Sequence, residues 1–397
     1  MSSLLRARGS DQSGGDQRGK VTMVELFFDL VFVFAITQIS HSLLAHLTLD
    51  GAIKHFLLLL AVWWVWIYTS WVTNWLDPDR LPVRLCLFAL MLAGLLMSVS
   101  IPDAFGERGL LFACAYVCMQ VGRTAFFLYA IRKSARNFVR SFQRIFIWLC
   151  LSAIFWLAGG IAEGQQRFLF WCVAFFIEFI SPAALFWVPG LGRASTTDWD
   201  VEGNHMAERC ALFVIIALGE SLLVTGATFA DQQWSAEVIA AFLVAVVGAI
   251  ALWWIYFDSG LQRAHHRILH SADPGSQARL AYTYMHAPIV AGIIVCAVAD
   301  ELVLAHPAHV TGAGIVAIIG GPALYLSGCM LFKWVTNDRR TPPLSHIVGI
   351  MMLLAAIPLA THHHFSALAL SAVTTGILIV VAVWETMALK KQAVQST

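Results

Sequence analysis

Long apolar stretches alternate with short polar breaks along almost the entire chain. Each stretch approaches the length of about 20 residues that a helix needs to cross the hydrocarbon core of a membrane. The breaks contain turn residues and charges, as in Asp77-Pro78-Asp79-Arg80 and Thr341-Pro342-Pro343. The pattern predicts an all-α fold, a polytopic membrane helix bundle of about 12 transmembrane helices. The predicted spans are residues 21–46, 53–76, 81–101, 109–132, 141–162, 166–188, 206–229, 236–258, 279–304, 310–334, 343–361 and 366–389.

Composition excludes a soluble enzyme. Of the 397 residues, 59% are hydrophobic and 12% are charged, and the mean hydropathy is +0.74. A soluble domain carries roughly twice this charged fraction. Lysine and arginine (25) almost balance aspartate and glutamate (24), and no basic domain is present, so we expect no nucleic-acid partner. The eight cysteines lie in or beside apolar stretches and are expected to pack as small side chains.

The distribution of positive charge predicts how the chain crosses the membrane. The two tails and the even-to-odd connections contain 21 of the lysines and arginines. The opposite connections contain three, Lys54, Arg108 and Arg167, while Arg123 lies inside a span. Because positive charge is retained on the cytoplasmic side during insertion, both termini are predicted to be cytoplasmic.

Two tryptophan-rich runs suggest an internal duplication. Trp63-Trp64-Val65-Trp66-Ile67-Tyr68 lies in the second predicted span and Trp253-Trp254-Ile255-Tyr256-Phe257 in the eighth. Six spans are an even number, so the halves would form a 6+6 parallel internal repeat. The predicted organisation is a disordered cytoplasmic tail (1–20), a first six-helix repeat (21–188), a cytoplasmic connection (189–205), a second six-helix repeat (206–389) and a second tail (390–397).

The residue alignment of the two halves stays open. Matching the tryptophan runs places Glu220 against Leu30, one residue from Asp29. Matching the starts of the first and seventh spans instead places Glu208 against Glu25.

Ionisable residues within the predicted spans are the candidates for function, because a charge at bilayer depth costs a few kcal/mol. A rise of about 1.5 Å per residue places Asp29, Arg123, His286 and Glu178 about 10–15 Å from the cytoplasmic end, and Glu220 about 21 Å from it. The predicted ion or proton pathway consists of Glu25, Asp29, Arg123, Glu178, Glu220 and His286.

Arg123 is the permanently charged cation of this set, since a guanidinium keeps its proton in proteins. We hypothesise that Arg123 pairs with Asp29 or with Glu25, which lies one helical turn from Asp29. Glu178, Glu220 and His286 would then line a path for cations or protons. The alternative for each is a structural role: a buried ion pair for the carboxylates, and a hydrogen-bonded core residue for His286.

Charged residues at the ends of the spans, Glu208, Arg209, Asp77 and Asp79, are predicted to have structural or gating roles. No catalytic residue, metal site or cofactor is predicted. The GxxxxGK[ST] pattern of ATP-driven pumps, the HExxH and GxSxG patterns of hydrolases and the TVGYG filter of potassium channels are absent from the sequence. His266 and His270 are expected to form a solvated face of a cytoplasmic connection. The run His362-His363-His364 is not expected to bind a metal, because three consecutive residues splay around a helix.

The run Val24-Glu25-Leu26-Phe27-Phe28-Asp29-Leu30-Val31-Phe32 resembles the opening of the bacterial low temperature requirement A (LtrA) family. Asn74 with Asp77-Pro78-Asp79 matches that family as well. The likeness continues at Glu208-Arg209 with the segment ending Leu218-Gly219-Glu220-Ser221, and at His286-Ala287-Pro288. The resemblance implies a polytopic protein of the bacterial inner membrane that is associated with growth in the cold. It gives weight to Glu25, Asp29, Glu208, Arg209, Glu220 and His286.

The expected function is transport through a proton- or cation-sensitive site in the bundle interior. The sequence does not decide between a channel and an alternating-access transporter. The alternative is a membrane-embedded sensor, enzyme or lipid-binding protein, and a purely structural role comes third; enzyme activity is not favoured. The expected partners are membrane lipids and protons or monovalent cations, and a homodimer stays open.

Overall fold

A computed structural model describes residues 4–6, 21–194, 203–258, 274–336, 341–362 and 365–395. The described residues form twelve helices and no strand. Ten of these helices are long and apolar enough to cross a membrane, and α6 and α11 are shorter. The helices are α1 (Met23–Ala45), α2 (Leu49–Trp75), α3 (Leu81–Ser100), α4 (Gly109–Ile131), α5 (Arg136–Ile161), α6 (Gly164–Ile180), α7 (Gly203–Asp231), α8 (Ala236–Phe257), α9 (Gly275–Ala305), α10 (Gly312–Thr336), α11 (Leu344–His362) and α12 (Ala367–Gln395).

Each predicted span overlaps one observed helix, which confirms the all-helical prediction. The predicted tail (1–20) is described only at residues 4–6, and the connection (189–205) only up to 194 and from 203.

The sixth span is shorter than predicted, because α6 ends at Ile180 and not at residue 188. Pro182 has no backbone N–H to donate to the carbonyl of Glu178, and the Ser181 hydroxyl donates to that carbonyl instead (2.9 Å). The chain then turns through Leu185 and Phe186, whose φ angles of 51° and 48° lie in the left-handed region. The apolar residues after Pro182 therefore form a tight turn and not a helix.

The chain divides into two compact units, each described here by itself. The first contains residues 4–6, 21–42, 50–209 and 274–276, and the second contains residues 43–49, 210–258 and 277–395, in both cases over the described residues. The division falls inside α7, between Arg209 and Cys210.

Helix α2 is the core of the first unit. The indoles of Trp63, Trp64 and Trp66 are almost completely buried. The Trp64 ring packs edge-on against Phe175 (centroids 5.5 Å apart), and Trp75 packs among aromatic rings of α4 and α5. The tryptophan run is therefore a packing core and not an interfacial belt, and its polar N–H groups need acceptors inside the unit.

Two helices contain a π-helical turn directly before a candidate site residue. In α4 the turn spans Cys118–Gly122 and precedes Arg123. In α9 it spans Arg279–Tyr284 and lies just before His286. A π turn inserts a residue into the helix and changes the direction in which the following side chains point.

Helices α9 and α10 of the second unit pack backbone against backbone. A Cβ atom on Gly292 would lie 2.5 Å from the backbone nitrogen of Tyr325, and one on Gly321 would lie 2.8 Å from that of Cys296. Small residues allow this approach, as is common for helices in membranes. In contrast, a Cβ atom on Gly320 would meet nothing within 4 Å.

Adjacent glycines on α10 provide a matched test of this packing. We expect Gly321→Ala to lower the free energy of unfolding by about 1–3 kcal/mol, because the new methyl group would overpack the contact with Cys296. Gly320→Ala should leave it unchanged or raise it by up to about 1 kcal/mol through helix propensity. Denaturant unfolding of the purified proteins in detergent measures both, and equal effects would contradict the close approach.

Candidate functional site

Two ionisable pairs join α1 to the start of α7 within the first unit. Glu25 and Asp29 lie one turn apart on α1, and His205 and Arg209 lie one turn apart on α7. His205 Nε2 lies 2.7 Å from Glu25 Oε1, and Arg209 Nη2 lies 2.8 Å from Asp29 Oδ1. All four side chains are at most 1% exposed. We call these four residues the α1–α7 ladder, with Glu25–His205 as the lower rung and Asp29–Arg209 as the upper rung.

Glu25 of the lower rung also caps α1. The backbone N–H and the hydroxyl of Thr22 each donate to Glu25 Oε2 at 2.9 Å, and the N–H of Glu25 points back at the Thr22 hydroxyl (3.4 Å). This reciprocal arrangement is a capping box, and the spacing Thr22-x-x-Glu25 is its sequence signature. Sequence reasoning considered Glu25 as a pathway residue or as a member of a buried ion pair and did not use this capping signal.

Arg6 is a third partner of the lower rung. Its Nη2 donates to Glu25 Oε2 at 3.0 Å, so Glu25 accepts from a guanidinium on one oxygen and faces His205 on the other. Sequence reasoning missed Arg6, because it placed the first 20 residues in a tail.

The hydrogen bonds of His205 indicate its tautomer. Nε2 faces Glu25 Oε1 at 2.7 Å, and because a carboxylate oxygen only accepts, Nε2 carries the hydrogen and Nδ1 accepts from the side-chain amide nitrogen of Asn74 (3.3 Å). Arg6 Nη2 also lies 3.2 Å from Nε2, but in this tautomer it donates to Glu25 and not to the imidazole. His205 was not among the predicted site residues, although it lies one turn before the predicted Arg209.

The upper rung is incompletely hydrogen-bonded. Asp29 Oδ1 accepts from the Trp66 indole (2.8 Å) as well as from Arg209, and Arg209 also donates to the Ser70 hydroxyl (3.2 Å). Asp29 Oδ2 and Arg209 Nη1 are buried and have no hydrogen-bond partner among the described residues. A buried polar atom without a partner is costly. One further polar group could therefore stabilise this rung by hydrogen-bonding to these two atoms.

The hypothesis that Arg123 pairs with Asp29 or Glu25 is wrong. Arg123 Nη2 donates to the side-chain oxygen of Gln120 (2.6 Å), and its Nη1 donates to Thr69 and to the carbonyl of Val65. Asp29 has its cation from Arg209 instead, a residue that sequence reasoning assigned to the end of a span.

Glu178 lies in a dense cluster of donors in the first unit. Its Oε1 accepts from Ser152 (2.6 Å) and Trp156 (2.9 Å), and its Oε2 accepts from Tyr116 (2.7 Å) and Gln120 (2.8 Å). Four donors satisfy both carboxylate oxygens, as an acceptor-only group requires.

Gln120 connects this cluster to Arg123. Its amide nitrogen donates to Glu178, and its amide oxygen accepts from Arg123 Nη2. The carboxylate of Glu178 and the guanidinium of Arg123 are therefore linked through one neutral side chain and make no direct hydrogen bond to each other.

The candidates of the second unit behave differently from one another. His286 Nδ1 donates to the carbonyl of Ala281 (2.9 Å) and its Nε2 accepts from the Tyr256 hydroxyl (2.8 Å), which favours the structural alternative. Glu220 is half-buried on α7. An unpredicted ion pair joins Lys333 to both oxygens of Glu385 at 2.6–2.7 Å.

The remaining predicted residues lie at helix ends in the first unit. Asp77 accepts from Arg80 Nε (3.1 Å), Asp79 lies 3.6 Å from Arg84, and Glu208 accepts from the N–H of Val21 (3.1 Å). These contacts tie connections to helices.

No group of histidine, cysteine or carboxylate side chains that could hold a metal occurs within the described part of the chain. His266, His270, His363 and His364 lie outside the described residues.

Comparison with known proteins supports the resemblance drawn from the motifs. Residues 20–383 match the family described as bacterial low temperature requirement A protein (LtrA). The chain is 43% identical over 391 residues to uncharacterized protein RA0937 of Rhizobium meliloti (strain 1021), covering 97% of this chain and 92% of that protein. No solved structure matches the chain.

A double-mutant cycle tests the upper rung. Arg209→Met should lower the free energy of unfolding by about 3–5 kcal/mol, because it leaves a buried carboxylate without its cation. Combined with Asp29→Asn, the loss should fall short of the sum of the single losses by about 1 kcal/mol or more. As a control, Arg123→Met with Asp29→Asn should be additive within about 0.5 kcal/mol, and coupling there would contradict the observed pairing.

Glu178→Gln tests the donor cluster. The variant replaces one acceptor oxygen with an NH₂ donor facing groups that donate, so we expect a loss of about 1–3 kcal/mol in unfolding free energy. Glu163→Gln makes the same chemical change at an exposed position and should change it by less than about 0.5 kcal/mol. Equal stability of the two variants in detergent would argue against the four hydrogen bonds.

Proposed function

Because the chain belongs to the bacterial low temperature requirement A family and is a multi-pass membrane protein, we propose that it transports protons or monovalent cations through a site at the α1–α7 ladder. The proposal is supported by the position of Glu25 and Asp29 on a membrane-spanning helix. Carboxylates in such helices mark ion and proton pathways by default, since burying them without a use is expensive.

The observation that carries the proposal is the incomplete bonding of the upper rung. Asp29 Oδ2 can accept one more hydrogen bond and Arg209 Nη1 can donate one, and both atoms belong to completely buried side chains. A water molecule offers both the donor that Asp29 Oδ2 lacks and the acceptor that Arg209 Nη1 lacks. A purely structural ion pair would be expected to have all of its polar atoms satisfied.

The spacing of the two rungs supports a stepwise path. Glu25 and Asp29 are one turn, about 5–6 Å, apart on one face of α1. A proton added to Asp29 would cancel the charge that holds Arg209 and would free the guanidinium to donate elsewhere. The Nε2–H of His205 already points at Glu25, so the lower rung can pass a proton between an imidazole and a carboxylate.

We extend the proposal to the topology. Both termini are placed in the cytoplasm and the protein in the bacterial inner membrane, on the strength of 21 lysines and arginines against three on the opposite side. The tryptophan runs of α2 and α8 support a 6+6 parallel repeat.

Binding of a lipid or small amphiphile is the second candidate function, and one groove of the second unit favours it. The groove lies between α8 and α12 and has a volume of about 400 Å³. Apolar side chains such as Ile250, Trp254 and Val383 line it, and Lys390 lies at one end. This combination suits an acyl chain with an anionic head group.

Flux measurements on the full-length protein in liposomes test the transport proposal. We expect a proton, Na⁺ or K⁺ flux down an imposed gradient, and a loss of more than about tenfold in Asp29→Asn. Asp50→Asn removes a carboxylate whose side chain is 72% exposed and should keep the wild-type rate. Absence of flux of all three ions in the wild type would favour the lipid-binding alternative, and undiminished flux in Asp29→Asn would remove the site from the path.

A further inference from the structure

The first described residues of the chain place the Arg6 guanidinium beside Glu25 of the ladder. Arg6 N–H donates to the carbonyl of Trp75 (2.9 Å) and Asp77 N–H donates to the carbonyl of Leu4 (3.0 Å), so residues 4–6 run antiparallel to the segment that leaves α2. Two backbone hydrogen bonds form a small attachment, of the kind that opens locally without unfolding the rest of a domain.

The Arg6 side chain fills a cup of oxygen atoms at the end of α2. Its Nε donates to the carbonyls of Thr73 (3.0 Å) and Leu76 (3.1 Å). The carbonyls of the last helical turn have no partners within the helix, and they carry the negative end of the helix dipole. Neutral oxygens with this polarity favour a cation.

Glu25 supplies the negative charge of the cup. Its Oε2 accepts from Arg6 Nη2 at 3.0 Å. The Nε and Nη2 groups form one edge of the planar guanidinium. The carboxylate and the two carbonyls accept hydrogen bonds from the donors on this edge.

The cup can be reached from outside the protein. The Arg6 side chain is 21% exposed, whereas Glu25 beneath it is fully buried. A free ion of the same shape could therefore approach the position of the guanidinium once Arg6 withdraws, without any opening of the helices below.

We propose that this cup, formed by the carbonyls of Thr73 and Leu76 and the Glu25 carboxylate, is a binding site for small organic cations that bear a guanidinium group, and that Arg6 is its tethered occupant. Withdrawal of the segment containing Arg6 exchanges the internal cation for a free one. A role for the site in selecting cargo rests on the proposed function, whereas the binding itself does not.

The geometry distinguishes a guanidinium from other cations. An alkali ion needs a shell of oxygen ligands around a point, whereas the three oxygens of the cup face the Nε and Nη2 edge of the guanidinium. An ammonium group carries three donors on one atom and cannot span both the helix end and Glu25 as a planar fork does.

Chemical rescue of Arg6→Ala in purified full-length protein tests the site. Removing the side chain empties the cup, so millimolar guanidinium or methylguanidinium should raise the Tm of the variant by about 2–4 °C with saturation. Urea, which has a similar shape without charge, and KCl at equal concentration should not. The wild type should not respond, because Arg6 occupies the cup, and Arg6→Ala combined with Glu25→Gln should lose the response.

Arg6→Gln gives a second background, should the alanine variant fail to fold, and the same saturable response is expected. Absence of a saturable shift in these backgrounds, or equal shifts in the wild type, would overturn the proposal. Saturation by KCl or NaCl in place of guanidinium would overturn the ligand class. The measurement involves no gradient, so its failure leaves the flux prediction standing, and absence of flux leaves this binding test intact.

Discussion

The first unit depends on one constraint: two carboxylates of α1 are buried at a depth where only a partner can stabilise them. Asp29 and Arg209 hold each other at 2.8 Å with both side chains completely buried, and Trp66 and Ser70 of α2 hold the pair in place. The strong cost of an uncompensated buried charge forces α1, α2 and the start of α7 into one arrangement. The division between the compact units falls directly after Arg209. The first two turns of α7 are therefore part of the first unit, which also contains the carboxylates that they neutralise.

The same rule organises the other buried charges, in two different ways. Lys333 and Glu385 meet directly, as an ordinary ion pair does. Glu178 and Arg123 instead communicate through Gln120, whose amide accepts from one and donates to the other. Each of these charged groups has partners inside its own unit, although Arg123 Nε is also buried without a hydrogen bond among the described residues. In the upper rung, both members of a direct ion pair keep an unused hydrogen-bonding atom.

Apolar patterning was sufficient to predict the twelve helices, because membrane spans are long and their hydrophobicity is nearly uniform. Charge pairing was beyond the same reasoning. Arg209 was counted as a residue of the cytoplasmic boundary, and Arg6 as part of a tail, yet both supply cations to α1. The end of α6 depended on a hydroxyl of Ser181 replacing a missing N–H, and the π turns before Arg123 and His286 have no signature in hydropathy. The family motifs identified the residues that matter and did not indicate how they pair.

The π turn of α4 has a consequence for how related sequences are compared. One additional residue in a helix rotates everything beyond it by about 100° around the axis. The π turn at Cys118–Gly122 thus divides α4 into two segments that are rotated relative to each other about the helix axis. Arg123 lies in the second segment, and this rotation directs its side chain toward Gln120 and Thr69. In a relative whose α4 is one residue shorter at this point, residues identical to those after the π turn would face another side of the bundle. A single gap in an alignment at this point would therefore signify altered chemistry, and not a trimmed loop.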